Sequence, residues 1–376
     1  MLKAGSVFWI LAAVSASYFF FYEPKSRSVV PVSPPSLLDA VSSVPRYLTL
    51  FPRFFTSGMS SSLPHRVVWR SGGLVAYLHP RPWTPGSVVL ERSAPGSPPG
   101  GSVFQLEEPE YLSWMSGARA VAQLLSERLG VRRCALVSRP HRDRPAQIRV
   151  LPLHGLGAEW RPHLAGEEEH SAHDPGFCTS KTGPRWTDSS LTEIQTRIRA
   201  GLPSPDARPD LTFLGDDPAH PGLFSRIVRG EERRQWRVWE DDAHVAFLTP
   251  FPNSPGFTVL VPRRPLTSDI FRLEKEDYEG LVLAARKAAR LLEAGLGASG
   301  VGLIFEGFEI DYAHAKLIPL LLPPSSGTGE EAAKPPPPPR FYPTYPGYVT
   351  SEDGPEASPE SLQDLHVRIT HTEMSV

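Results

Sequence analysis

Cysteine is nearly missing from this chain. Its 376 residues include only Cys134 and Cys178, too few for a disulfide framework or a four-cysteine zinc site. Asparagine is rarer: Asn253 stands alone, and the order Asn253-Ser254-Pro255 makes no glycosylation acceptor. Neither sign of charge dominates. The 39 Lys and Arg against 41 Asp and Glu leave a net charge of -2, which excludes a general nucleic-acid binder, because phosphate contacts need a basic surplus. No Gly-X-Y period occurs, so collagen is excluded. What is plentiful is proline, 42 residues, roughly double average usage. Hydrophobic residues at 40% still leave material for cores, and the length fits two or three domains. Excess Arg, Pro and Ala with almost no Asn also matches a GC-rich coding sequence.

Residues Ala4 to Tyr22 carry no charge and end in the aromatic run Tyr18-Phe19-Phe20-Phe21-Tyr22. That is the lower end of the roughly 17–25 residues a spanning helix needs, with aromatics placed for an interfacial belt. A cleaved secretory signal is the alternative, since Ala13, Ser15 and Ala16 are small. The aromatic run past them favours an uncleaved anchor within residues 1–25. Lys3 before it and Lys25 and Arg27 after it lean toward a cytosolic body. The expectation is a single-pass membrane protein; which membrane is open, and the Ser/Arg/Pro-rich linker 26–63 also fits a mitochondrial address.

The body contains an internal repeat. Trp69–Gly86 aligns without a gap to Trp239–Gly256, sharing Trp69/Trp239, Val75/Val245, Ala76/Ala246, Leu78/Leu248, Pro80/Pro250, Pro82/Pro252, Pro85/Pro255 and Gly86/Gly256. A second block, offset by three fewer residues, matches Tyr111, Ala118, Ala122, Leu125, Leu129 and Gly130 to Tyr278, Ala285, Ala289, Leu292, Leu296 and Gly297, and reaches Pro152 and Pro319. Each copy reads as a strand, a Pro-rich turn, a second strand, a long amphipathic helix and two more strands. In the second copy Leu281, Ala284, Ala285, Ala288, Leu291 and Leu292 line one helix face. The fold class is therefore α+β, two units each with an antiparallel sheet and one long helix, after an N-terminal membrane helix. The first copy spans 64–156 and the second 221–323. Between them, 157–220 is a loop-rich insert with one short helix at Leu191–Ala200, capped by Ser190 and Glu193. The tail, 324–376, is Pro-rich then acidic and is expected to be disordered. Its Pro335–Pro339 run suits a protein partner that reads polyproline.

Chemistry concentrates in Phe305–Pro319. On a strand, residues two apart share a face, so Tyr312, His314 and Lys316 project together. An imidazole nucleophile beside a hydroxyl and a cation suits attack on phosphorus; a strand histidine that simply packs is the plainer alternative. His163, His170, His173 and Cys178 with Glu167–Glu169 resemble a metal set, but a solvated polar loop reads better, and no metal or cofactor is expected. Arg263 and Arg264, just past a strand, read as an exposed charged pair.

The order of strand, P-x-x-P-G turn, strand, helix, and a His-bearing strand before Pro319 resembles the histidine triad (HIT) superfamily, whose signature is His-x-His-x-His-x-x-Pro. Val245–Pro262 looks like its first hairpin and Leu223–Glu231 its opening segment. The resemblance covers Gly222–Pro323 and, more weakly, His65–His154. It implies a nucleotide-binding fold that cleaves or transfers at the α-phosphate through a nucleotidyl-histidine. Counted back from Pro319, His314 falls on the nucleophile, Tyr312 on the first triad place and Lys316 on the third. Gly307, Thr249 and Asn253 join Tyr312 and Lys316 as expected substrate contacts, Thr249 standing where many members hold the ribose with Asp or Asn. Phe257 replaces a customary hairpin His. In the first copy Pro145, Gln147 and Arg149 stand at the three triad places, so it has no imidazole for the chemistry. Two functions follow: a membrane-anchored HIT-like nucleotide hydrolase or nucleotidyltransferase, or an inactive HIT-like pseudoenzyme acting as nucleotide sensor or scaffold. The expected ligand of either is a nucleotide or another phosphorylated small molecule.

Overall fold

The computed structural model describes residues 66–93, 101–323 and 338–371, all within the unit Ser61–Val376. Ten strands form one antiparallel sheet in the order β1-β2-β3-β5-β4-β9-β10-β8-β7-β6. They are β1 (Val67–Ser71), β2 (Leu74–Leu78), β3 (Val88–Arg92), β4 (Cys134–Ser138), β5 (Ile148–Pro152), β6 (Arg237–Glu240), β7 (His244–Leu248), β8 (Thr258–Pro262), β9 (Val301–Phe305) and β10 (Ala315–Pro319). The order reads alike from both edges, and the halves meet where β4 pairs with β9, Val137 opposite Ile304. Even the edge irregularity repeats. The register of β1 shifts between Val67 and Trp69, and that of β6 between Arg237 and Trp239, a bulge that adds local twist.

The repeated turn prolines lie between strands, where a missing N–H costs no ladder bond. Gly86 and Gly256 end these turns at φ +77° and +84°, a region that costs glycine nothing. A Cβ there would lie 2.6 Å from Leu129 and 2.4 Å from Leu296, the last residues of the two long helices. So one residue type at one place closes the hairpin and lets the helix end pack on it.

Helices α1 (Glu108–Leu129) and α4 (Lys275–Leu296) cover one face of the sheet, each ending at a left-handed glycine, Gly130 or Gly297. They interlock reciprocally. The Tyr111 hydroxyl donates to the Val282 carbonyl at 2.9 Å and the Tyr278 hydroxyl to the Met115 carbonyl at 2.8 Å. Arg119 stacks over the Tyr278 ring and Arg286 over Tyr111. Helix α2 (Asp188–Arg199) buries Leu191, Ile194 and Ile198 in the same core. Its cap is Thr187, which accepts from the Ser190 N–H at 3.2 Å, in place of the expected Ser190 cap.

The expected membrane location is corrected. Among the described residues no helix is long and apolar enough to cross a membrane. Helices α1 and α4 have the length, 22 residues each, but their solvent faces carry charge, such as Glu127 and Arg128 or Lys287 and Arg290. They bury one stripe against the sheet and need water on the other. The Ala4–Tyr22 stretch that carried the expectation lies outside the described residues.

The disordered tail is corrected for residues 338–371. Tyr345, Tyr348 and Val349 are buried, Thr350 bridges to Thr179, and α5 (Pro359–Thr370) docks Ile369 into the helix-side core. The composition argument fails because the tail needs no core of its own; its few aromatics enter one the body already provides. Residues 324–337, with most of the polyproline run, lie outside the described residues.

Candidate functional site

The sheet face away from α1 and α4 carries the candidate site. It is an apolar floor of Val245, Phe247, Val259, Val261, Ile304 and Ile318, roofed by α3 (Leu223–Arg229), the 160–183 segment and the tail around Tyr345. Tyr312 precedes β10 and is buried, its hydroxyl donating to the Pro262 carbonyl at 2.9 Å. Its ring meets Phe224 edge-on at 5.6 Å. Burial raises its hydroxyl pKa above the ordinary phenol value, so it stays a neutral donor committed to the backbone.

His314 packs against the same Phe224, ring centres 5.4 Å apart, with only 3% exposure. Its Nδ1 is 2.7 Å from the Tyr312 carbonyl. A carbonyl only accepts, so Nδ1 carries the proton and Nε2 keeps its lone pair. Burial, then the Lys316 charge, holds this imidazole below its usual pKa, so it is neutral at pH 7.

Lys316 is buried between two carboxylates that the motif reading did not single out, Glu306 at 3.3 Å and Glu309 at 3.1 Å. Burial works against its charge, but Glu309 and Glu306 outweigh that and raise its pKa. Its Nζ also donates to the Ser180 carbonyl at 3.2 Å, and Glu306 accepts from the Tyr345 hydroxyl at 2.5 Å. The insert thus bonds to Lys316 on β10 itself, and the tail bonds to Glu306, one of the two carboxylates that pair with it. The acidic partners sit on either side of Gly307 in the sequence; a Lys facing inward on a strand was the signal that a buried anion had to be near.

The remaining expected contacts are also engaged within the chain. The Asn253 amide donates to the Thr179 and Lys181 carbonyls at 2.8 and 2.7 Å. The Gly307 carbonyl accepts from the Trp160 indole at 2.9 Å; its φ is +82° and a Cβ would lie 2.5 Å from the Ser268 carbonyl. Thr249 Oγ1 accepts from the Phe251 N–H, closing a local turn. Phe257 is buried in the floor. So Tyr312 and His314 converge on Phe224, Lys316 turns to its acids, and Thr249, Asn253 and Gly307 serve the turn and the roof.

Other sequence candidates resolve differently. Among the described residues no group of three His, Cys, Asp or Glu could hold a metal ion. His170 bonds the Pro252 carbonyl and His163 meets Tyr345 edge-on, so this loop is packed onto the body rather than merely solvated. Burial pushes both thiols, Cys134 and Cys178, up to about 12, which removes them as nucleophiles. Arg263 is fully buried, not exposed, and donates to the Asp241, Asp210 and Thr212 carbonyls.

No family model matches the chain. Two curated relatives do. An uncharacterized 13.1 kDa HIT-like protein of Mesomycoplasma hyorhinis is 29% identical over 102 residues, 26% of this chain and 90% of the relative. An uncharacterized HIT-like protein of Saccharolobus solfataricus is 28% identical over 102 residues, again 26% of this chain and 72% of the relative. Over this stretch the chain is similar to HIT-like proteins. Among solved structures, the chain is similar to a uridylyltransferase at 13% identity and a TM-score of 0.40, over 80% of this chain and 87% of the other. It is also similar to a HIT-like protein involved in cell-cycle regulation from Bartonella henselae, at 19% identity and a TM-score of 0.25, over 40% of this chain and 95% of the other.

Proposed function

We propose that this HIT-like chain is a pseudoenzyme: a folded scaffold of two HIT-like units, 64–156 and 221–323, whose nucleotide-site framework is filled by its own insert and tail. The observation that carries the reading is the commitment of the expected substrate contacts. Asn253, Gly307 and Lys316 all bond to residues 160–181, and Glu306 bonds to Tyr345. A nucleotide phosphate entering here would have to break these bonds and pass Phe224. The mirrored strand order and the reciprocal tyrosines support the two-unit layout, and the loss of an imidazole at Gln147 supports a first unit without chemistry. As a scaffold, the chain would present the Pro335–Pro339 run to a polyproline-reading partner.

One observation favours a second reading, a HIT-type nucleotide hydrolase or nucleotidyltransferase. His314 already holds its proton on Nδ1, the state a nucleophile needs. Were the roof withdrawn, Nε2 would attack phosphorus, the leaving group would depart with the bonding pair, and water or an acceptor would then cleave the P–N bond. Incubating the full chain with an adenine dinucleotide and with a nucleoside phosphoramidate separates the two. The first reading expects no turnover and no adduct by intact-mass measurement. A nucleotidyl adduct that disappears in His314→Ala overturns it and selects the second.

A further inference from the structure

The repeat sets Arg149 of β5 in the first half where Lys316 stands in the second, and His79 where Thr249 stands. Lys316 meets carboxylates of its own neighbourhood. Arg149 instead meets one brought from the tail. Asp353 accepts from Arg149 Nη2 at 2.8 Å and from Arg81 Nη2 at 2.7 Å, and His79 Nε2 stands 3.5 Å away. The histidine is aimed by its other nitrogen: the Arg81 backbone N–H donates to His79 Nδ1 at 3.0 Å. Nδ1 is therefore the acceptor, and the neutral ring points its Nε2–H at Asp353.

The side chains of Arg149 and His79 are 12% and 10% exposed, while Asp353 is 26% exposed and Arg81 53%. The cradle is deep at one end and open to water at the other. The nearby carboxylate Glu91 is occupied by Tyr77 and Gln147, at 3.1 Å each, and besides Asp353 the tail offers Arg149 the Glu352 carbonyl, which accepts from Nη1 at 3.2 Å. The fit is also incomplete in geometry. Arg149 and His79 both face Oδ1, and the histidine stands at 3.5 Å, beyond good hydrogen-bond distance. A tetrahedral phosphate offers three oxygens, one per donor, and a dianion balances both arginines.

We infer that Arg149, Arg81 and His79 form a binding site for a phosphate monoester or free phosphate, which Asp353 of the tail occupies as a displaceable stand-in. The site is independent of the reading of His314, which lies in the other half and is tested by turnover. The ligand is recognised by its phosphoryl group, and the first half, though without an imidazole at the triad places, keeps an anion-binding role. Binding then competes with the tail and reports phosphate through release of the segment around Asp353.

The test uses the full chain and its Asp353→Ala and Asp353→Asn variants, the latter isosteric so that the tail keeps its shape. Thermal stabilisation is followed against inorganic phosphate, AMP and adenosine. Phosphate and AMP are expected to raise Tm at least tenfold lower in concentration for the variants than for the parent chain. Adenosine gives no shift, and adding Arg149→Met abolishes the effect. Tighter binding of AMP than phosphate assigns a phosphomonoester; equal binding assigns free phosphate. Variants that melt cooperatively yet show no phosphate-dependent shift, or a shift that survives Arg149→Met, overturn the inference, as does a response to adenosine alone.

Discussion

At the scale of single residues, the two halves solve the same electrostatic problem differently. Lys316 is surrounded by Glu306 and Glu309 with almost no water, so removing it strands two carboxylates in a low-dielectric site. Lys316→Met is expected to cost about 3–5 kcal/mol, the usual penalty for breaking one side of a buried pair. Urea unfolding measures it, and a loss under about 1 kcal/mol would refute the buried-pair account. His79 gives a pH dependence. Burial, then Arg149, pushes it from 6.5 down to about 4, with Asp353 opposing. The unfolded chain therefore takes the proton first, so the stabilisation is full above pH 6.5 and lost as pH falls toward 4. Protonating Nδ1 would also break the bond from the Arg81 N–H. Asp353 acts in the same direction at lower pH: burial raises its pKa, but Arg149 and His79 outweigh that. The fall in Tm between pH 7 and pH 4.5 should be shallower in His79→Gln than in the parent chain. Parallel curves would show that His79 takes no part.

Among the elements, the two long helices show why so much of the fold could be read directly from residues. Gly86 and Gly256 recur because turn geometry and a helix end both demand them, and the small residues of α1 and α4 recur because a sheet surface must fit against them. Such local demands leave periodic marks. Long-range pairings leave none. The Tyr345–Glu306 bond joins residues 39 apart, and the Arg149–Asp353 bond residues 204 apart. Nothing in the composition of an acidic tail announces either, and so the candidate strand was legible while its roof was not. The reciprocal tyrosines lie between these cases, visible as a repeated residue but not as a crossed bond. Tyr111→Phe and Tyr278→Phe should each lose about 1 kcal/mol, one buried hydrogen bond apiece. Chemical denaturation of the two variants checks this; a loss in one and none in the other would break the two-fold relation of the helices.

For the whole molecule, the decisive feature is that one sheet face is covered mainly by the two long helices that the repeat itself supplies, while the other, beside α3, depends on the 160–183 segment and the tail, which lie outside the repeat. The insert contributes Trp160, Thr179 and Ser180, the tail Tyr345, Val349 and Asp353, and Ser180 N–H and hydroxyl both bond to Val349. These covers brace each other, so unseating one should loosen the other. Val349 has no exposed surface, and a carboxylate placed there cannot be paired. Val349→Asp is therefore expected to lift the tail, free the Lys181–Asn253 corner and let water reach His314, with α1 and α4 still in place on the opposite face. Diethylpyrocarbonate labelling read by mass spectrometry follows this at a single imidazole. In the parent chain His314 should react far more slowly than the exposed His371, and in Val349→Asp the two rates should approach each other while far-ultraviolet circular dichroism stays nearly unchanged. Fast labelling of His314 in the parent chain would mean that the roof opens spontaneously. A scaffold whose site is filled would then give way to an enzyme whose site is gated, because a neutral imidazole with its Nε2 lone pair in water is already equipped to react.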